Sequence, residues 1–297
     1  MSRRLSYRRQ IISAKDKISE RSLEFNTVYE ILESIRGVYR NTYVVGYTTR
    51  QEAYHGLDIS IDIPGYMLMA YQFKAPIKKY LENNVDVYRF RVGDTCARCT
   101  NPRLKKSTYQ VRRMLNKYGL PRSCANQHVI LYAMATIIKH KMNIDVYYVF
   151  PLIYSYRELE SHVPGILDYT ILIRVLDFPL STVIDCRSHR VEIHLPRISS
   201  YNISVVFYSK PKEFPKDKVF IASKVIKKKI GEFKMKDILT KERSFHFSPS
   251  EVKEILLSDF YKKAEREDIS LSKIKKLVDA LVSMEFSYRG LLINIGK

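Results

Sequence analysis

Apolar residues recur at helical spacing in "SLEFNTVYEILESIRGVYR" (22–40), where Leu23, Val28, Ile31, Leu32 and Ile35 share one face and Gly37 ends the run. The pattern then changes to the short period of strands. "NTYVVGYTT" reads as one strand, "GLDISIDIPGYMLMAYQFK" (56–74) as a tight hairpin, and "YRFRV" (88–92) as a further strand. An apolar helix is expected over "SCANQHVILYAMATIIKHK" (123–141), starting at Ser123. "IDVYYVFPLI" then has the β-branched and aromatic content of a buried strand. "TILIRVLDF", "STVIDCRS", "RVEIHL" and "ISVVFYS" predict short strands between 170 and 208. Near 209–218 "SKPKEFPKDK" interrupts the pattern like a linker. Beyond 235 the chain reads as helical: Ser248, Pro249 and Glu251 form a capping-box start, and "SLSKIKKLVDALVSMEF" is a second amphipathic helix. "YRGLLINI" could close it as a strand, which fits either a winged-helix-like module or a plain helical cap.

These elements divide the chain into a basic arm (1–21), an α/β domain (22–208) with an insertion at about 90–122, a basic linker (209–234) and a helical C-terminal module (235–297).

The hairpin carries more than a fold signal. Side chains alternate along a strand, so Ile59, Ile61 and Ile63 share one face while Asp58, Ser60 and Asp62 share the other. In the second strand Met67, Met69, Tyr71 and Phe73 oppose Leu68, Ala70, Gln72 and Lys74. The register that unites the apolar faces pairs Ile63 with Met67 around a three-residue loop, Pro64-Gly65-Tyr66. It sets Asp58 across from Gln72, with Lys74 further along the same face. A carboxylate and an amide oxygen can hold Mg²⁺ or Mn²⁺, and a lysine beside the metal can position a water. The alternative is a solvated polar face with an exposed lysine.

Composition narrows the partner. Lys plus Arg is 51 against 31 Asp plus Glu, a net charge of +20, which favours a polyanion and above all nucleic acid. No stretch is long and apolar enough to span a bilayer and the basic N-terminus has no apolar core, so neither a membrane partner nor a signal peptide is expected, and the expected location is cytoplasmic. The absence of Trp and the wealth of Tyr, Ile and Lys are similar to the composition of proteins from thermophilic archaea or their viruses. No Gly-rich phosphate loop, Gly-x-Ser-x-Gly elbow or Ser/His/Asp arrangement is present, which sets aside NTPase and serine-hydrolase readings.

The Asp58…Gln72-x-Lys74 arrangement resembles the PD-(D/E)XK nuclease superfamily, in which a metal-binding Asp precedes a (Glu/Asp/Gln)-x-Lys across a hairpin. "GLD" followed by "YQFK" is similar to the Gln-x-Lys variant of the Mrr-like restriction endonucleases. The resemblance covers roughly 22–150 and implies a restriction-endonuclease-like mixed sheet flanked by helices, built as helix, three-stranded meander, helix, strand. It implies a Mg²⁺- or Mn²⁺-dependent DNA endonuclease with Asp58, Gln72 and the carbonyl of Phe73 on the metal and Lys74 positioning the water. It also implies an upstream acid, for which Glu52 is the first choice and Glu30 and Glu33 on the first helix are alternatives. Many members act as homodimers. With Gln where many members carry Glu, a non-catalytic regulator or packaging factor on a degenerate nuclease fold is the alternative.

The four cysteines suit a reducing compartment better than a disulfide framework. Cys96-x-x-Cys99 and Cys124-x-x-x-His128 together form a set with structural Zn²⁺ spacing, and Cys186-x-x-His189 could replace its second half. Between the halves, "RLKKSTYQVRRMLNKYGLPR" has seven Lys/Arg and no acid, with a Ser107/Gln110 capping box and Gly119 as its stop. Its helix would put Tyr109, Arg112, Arg113, Asn116 and Lys117 on one stripe, and with Lys105 and Lys106 just before it, Tyr109, Arg112, Arg113 and Lys117 are the expected nucleic-acid contacts. A lone buried His128 would more often be a satisfied core residue than a ligand.

Overall fold

The computed structural model describes residues 16–47, 56–63, 66–93, 113–197 except 114, 203–207, 212–232 and 248–283, with the backbone alone at 63, 66–68, 122, 125, 212, 213 and 232. The first helix, α1 (Glu20–Arg36), begins at Ser19, whose side chain accepts from the Ser22 N–H, and buries Leu23, Val28, Ile31 and Ile35 as its spacing predicts. Three antiparallel strands follow: β1 (Tyr43–Gly46), β2 (Ile59–Ile63) and β3 (Tyr66–Phe73). The helix α2 (Gln127–Met142) then carries the chain to β6 (Val146–Pro151), which lies parallel to β3. A helical crossover is what a parallel neighbour demands. β7 (Thr170–Arg174) and β11 (Phe220–Ile221) complete a six-stranded mixed sheet in the order β1-β2-β3-β6-β7-β11.

A second, antiparallel sheet is built by β4 (Lys78–Glu82), β5 (Val85–Val92), β8 (His189–Pro196), β9 (Ser204–Phe207) and β10 (Lys212–Glu213), in the order β10-β9-β8-β5-β4. The sequence pattern gave its strands in part but not their separation into a second sheet. β4 and β5 are joined by Asn83-Asn84, both at positive φ, the conformation a two-residue hairpin turn needs.

The first sheet is covered on both sides. Ile59, Ile61, Met69, Tyr71, Phe73, Tyr147 and Val149 face α1 and α5 (Ala222–Glu232). Ala70, Val146, Tyr148 and Phe150 face a second core with α2, the second sheet and the C-terminal helices α6 (Pro249–Glu267) and α7 (Leu271–Ser283). Because α2 is enclosed this way it buries nearly every residue from His128 to Ile138, which is why its sequence is apolar all round.

Several expectations are corrected. "STVIDCRS" is not a strand but the short helix α4 (Leu180–Ile184), following α3 (Tyr156–His162) along the chain. Glu267 of α6 accepts from the Leu180 and Ser181 N–H groups, supplying a helix start that local sequence does not advertise. α2 begins not at Ser123 but after Asn126, whose side chain accepts from the Val129 N–H at 2.9 Å. Within the expected linker, residues 220–232 form β11 and α5, which pair and pack with the first sheet. The capping box at Ser248 forms as expected. However, α6 and α7 share the main core through Val252, Leu256, Phe260 and Leu277 rather than standing as a separate module. The strand expected at "YRGLLINI" lies outside the described residues. Among the described residues no helix is long and apolar enough to cross a membrane.

Candidate functional site

At the base of the hairpin the register is the expected one: Ile59 pairs with Tyr71, Ser60 with Ala70 and Ile61 with Met69. Towards the turn it differs. A bulge shifts the pairing to Asp62 with Met67 and Ile63 with Tyr66, so the expected pairing of Ile63 with Met67 around a three-residue loop is not formed. The slip lies on the far side of Ile61, and Asp58 keeps its place opposite Gln72.

Gly56 makes that placement possible. It sits at φ +73°, and a Cβ there would come within 2.9 Å of Leu131 Cβ and 3.1 Å of the Leu131 backbone. The chain therefore enters β2 hard against α2, two residues before Asp58. The Asp58 N–H donates to the Tyr71 carbonyl at 3.0 Å. Asp58 Oδ2 accepts from Gln72 Nε2 at 2.7 Å and from the Phe73 N–H at 2.7 Å. Gln72 Nε2 is also 3.4 Å from the Phe73 carbonyl oxygen. Of the groups expected together, Asp58 and Gln72 meet directly, while the contacts of Lys74 run to other residues.

Their setting is not a solvated face. Gln72 is 0% and Lys74 6% exposed, because α2 lies over this side of the sheet. Lys74 Nζ donates to Gln127 Oε1 at 2.6 Å, at the first turn of α2, and lies 4.0 Å from Glu20 Oε1. Gln72 Oε1 is buried with no hydrogen-bond partner among the described residues, a deficit of about 1–3 kcal/mol that apolar packing would not carry. Two residues along β2 from Ser60, Asp62 is 1% exposed, and among the described residues neither carboxylate oxygen has a well-formed hydrogen bond. Burial raises its pKa to about 7, with Ser60 nearby moderating the shift. The Ser60 hydroxyl accepts from Tyr47 Oη at 3.1 Å.

The first choice for the upstream acid, Glu52, is not among the described residues. Glu30 is committed to structure, its carboxylate accepting from the N–H groups of Gly165, Ile166 and Leu167 at 2.7, 3.0 and 3.2 Å. Glu33 is an exposed residue in the last turn of α1. Among the described residues, an acid that approaches Lys74 is Glu20, in the first turn of α1. Sequence reasoning missed it and also missed Gln127. The only signal for Glu20 was its place just after the N-cap, which says nothing of what lies across from it.

The zinc expectation is corrected at its second half. Cys124 is joined to Cys186 by a disulfide, so this pair is oxidised rather than metal-bound or reduced. His128 is fully buried with both ring nitrogens engaged: Nδ1 lies 2.9 Å from Tyr148 Oη and Nε2 2.9 Å from Thr182 Oγ1. Thr182 gives its own proton to the Pro179 carbonyl, so Nε2 of His128 carries the hydrogen and Nδ1 accepts from Tyr148. Burial, with His189 beside it, lowers the His128 pKa to about 3. It is the satisfied core histidine of the bland reading. His189, the alternative ligand, donates to the Thr182 carbonyl at 2.7 Å. Cys96 and Cys99, and with them Lys105, Lys106, Tyr109 and Arg112 of the basic helix, lie outside the described residues. Arg113 and Lys117, in its last described turn, are exposed, and Gly119 follows at φ +66° as the expected stop. Among the described residues no three His, Cys, Asp or Glu side chains converge as a metal cluster.

No family model, no curated protein and no solved structure matches the chain. The site therefore stands on its own geometry.

Proposed function

We propose that the chain is a metal-dependent DNA endonuclease of the PD-(D/E)XK type, hydrolysing phosphodiester bonds at the Asp58, Gln72, Lys74 site. The observation that carries this reading is the pairing of the Asp58 carboxylate with the Gln72 amide beside the Phe73 carbonyl, with the buried Lys74 two residues along the chain from Gln72. The element order supports it as well: helix, meander β1-β2-β3, helix, and a strand parallel to β3.

A divalent cation fits the donor set. Rotating the Gln72 amide by half a turn would bring Oε1, now without a partner, to the position 2.7 Å from Asp58 Oδ2. Two oxygens at that spacing repel in the absence of a cation, and a carboxylate with an amide oxygen is a donor set that Mg²⁺ or Mn²⁺ would accept. Asp58, Gln72 and the Phe73 carbonyl would hold the ion, with Glu52 as the expected upstream acid. Bound there, Mg²⁺ or Mn²⁺ would polarise the phosphoryl oxygen and lower the pKa of a coordinated water. Lys74, held by Gln127, orients the attacking water in line with the leaving oxygen and offsets charge building on the phosphorane. Gln127 and Glu20 fix the ammonium so that little reorganisation accompanies attack.

The test is cleavage of linear, supercoiled and branched DNA with Mg²⁺, Mn²⁺ or EDTA, by wild type and Lys74→Ala. Metal-dependent cutting that falls at least about 100-fold in the variant, with binding retained, is expected. Cutting unaffected by Lys74→Ala sinks the reading. One observation favours the alternative of a non-catalytic binder: Asp58 Oδ2 is already satisfied by two N–H donors. On that reading wild type binds DNA and cuts nothing.

A further inference from the structure

The helix at the far edge of the first sheet is strongly basic. On α5 Lys224 and Lys228 stand one helical turn apart with Lys227 between them, all three exposed, and no acid precedes Glu232 at the end of the helix. The apolar face of α5 is engaged elsewhere: Ala222 and Ile226, with the partly buried Val225 and Ile230, pack on the core beneath it.

Between α5 and the edge strand β11 lies a groove of about 300 Å³, with Ile171, Phe220 and Val225 among its apolar lining. Every charged residue that lines it, among the described residues, is a lysine: Lys224 and Lys228 from α5, and Lys216 from the turn that leads into β11. The acids close by in the chain do not cancel this charge. Asp177 accepts from Arg174 Nε at 2.6 Å and lies 3.4 Å from Lys218 Nζ, so it is matched by two cations outside the groove. The Arg174 guanidinium in turn lies over the Phe220 ring, 5.5 Å from its centroid. Asp217 is exposed next to Lys216 and is not part of the lining.

These features select a partner by its chemistry. A concave surface lined by cations, in a chain of net charge +20, is complementary to a polyanion. An anionic membrane would need apolar side chains projecting beside the lysines. None of the large exposed apolar residues of the described chain lies on β11 or α5. A line of phosphates needs no such group, only ammonium groups along its path, and it is held without regard to sequence.

We infer that the groove between β11 and α5 docks the phosphate backbone of nucleic acid on Lys216, Lys224 and Lys228, supplying sequence-independent affinity. The inference rests on the reading of the chain as a protein that acts on nucleic acid. It requires no contact between this edge and the Asp58–Gln72 side of the sheet.

The test is the salt dependence of binding. Fluorescence anisotropy with a labelled DNA duplex of about 20 base pairs is followed in EDTA from about 50 to about 200 mM potassium chloride. Wild type is compared with Lys216→Ala/Lys224→Ala/Lys228→Ala and with Lys273→Ala/Lys275→Ala/Lys276→Ala, which removes the same charge from exposed positions of α7. Alanine favours the helix at both places, and thermal melts check the fold. Each phosphate contact contributes about −0.9 to the slope of log K against log salt, so the groove triple should flatten the slope by about 2–3. Its affinity near 100 mM salt should fall at least about 30-fold, against less than about threefold for the α7 triple. Arginine at the same three groove positions should bind as wild type does. An unchanged slope in the groove triple, or equal losses in both triples, overturns the inference. So does a groove triple that loses binding to phosphatidylserine vesicles while holding the duplex as wild type does, which would give the surface to a membrane. Cleavage by the same proteins separates the two readings. If wild type cuts nothing while the groove triple flattens the slope, the groove stands and the endonuclease reading falls. If wild type cuts and the groove triple keeps the wild-type slope, the reverse holds.

Discussion

Replacing Gln72 by glutamate tests the candidate metal site at its centre. In the native protein Gln72 Nε2 donates to Asp58 Oδ2 at 2.7 Å. Gln72→Glu removes that donor and sets a second carboxylate against the first. At an effective dielectric constant of about 20, two full charges at that distance would repel by about 6 kcal/mol. The pair relieves this by holding a proton. If one carboxyl titrates about 2–3 units higher in consequence, the cost near pH 8 is about 3–4 kcal/mol. For a chain of this size that lowers the melting temperature by roughly 10 °C. A divalent cation bridging the carboxylates reverses the sign of the interaction. With Mg²⁺ at about a hundred times its dissociation constant, some 2.7 kcal/mol is returned. Thermal unfolding followed by circular dichroism, with Mg²⁺ and with EDTA, reads both effects. The variant should melt well below wild type in EDTA and regain most of the loss in Mg²⁺, while wild type responds less. An equal loss in both solutions would refute the argument that these residues face a common cation.

Other outcomes follow from the surroundings of the site. Asp62 has a folded pKa raised to about 7 from 3.8, so its unfolded form ionises first as pH rises; the stability it contributes is fully present below about pH 4 and is lost by about pH 7, about 4 kcal/mol at most. Asp62→Asn should therefore be stabilising in melts at pH 8 and close to neutral at pH 4, and a pH-independent difference would contradict this. Gly56→Ala places a Cβ against Leu131 at positive φ and should cost roughly 2–4 kcal/mol by denaturant titration; an effect under about 0.5 kcal/mol would mean that the chain does not enter β2 this way. The Cys124–Cys186 disulfide spans 62 residues and should contribute about 4 kcal/mol through loop-closure entropy. Wild type in dithiothreitol and the Cys124→Ser/Cys186→Ser variant should melt at the same lowered temperature, whereas free thiols found by alkylation of unreduced protein would remove the bond from the argument.

What the sequence determined by itself was local. The α1 face, the buried strand β6, the start of α6 and the base of the hairpin all follow from spacing within a dozen residues, because one period or one capping pattern decides them. The meeting of Asp58 with Gln72 was legible for the same reason: alternation and a single register fix it. The pairing of Cys124 with Cys186, the commitment of Glu30 to the turn at Gly165 and the arrival of Glu20 and Gln127 at Lys74 were decided elsewhere. Each joins segments dozens of residues or more apart, through the packing of α1 and α2 on opposite faces of one sheet. "STVIDCRS" has the composition of a strand but becomes α4, since the donors at its start are satisfied by Glu267 from a distant helix. Burial was also decided by tertiary structure: Gln72 and Lys74 would be ordinary surface residues on an open hairpin. Only the layer of α2 over that face turns them into a desolvated site, with one amide oxygen left to be satisfied.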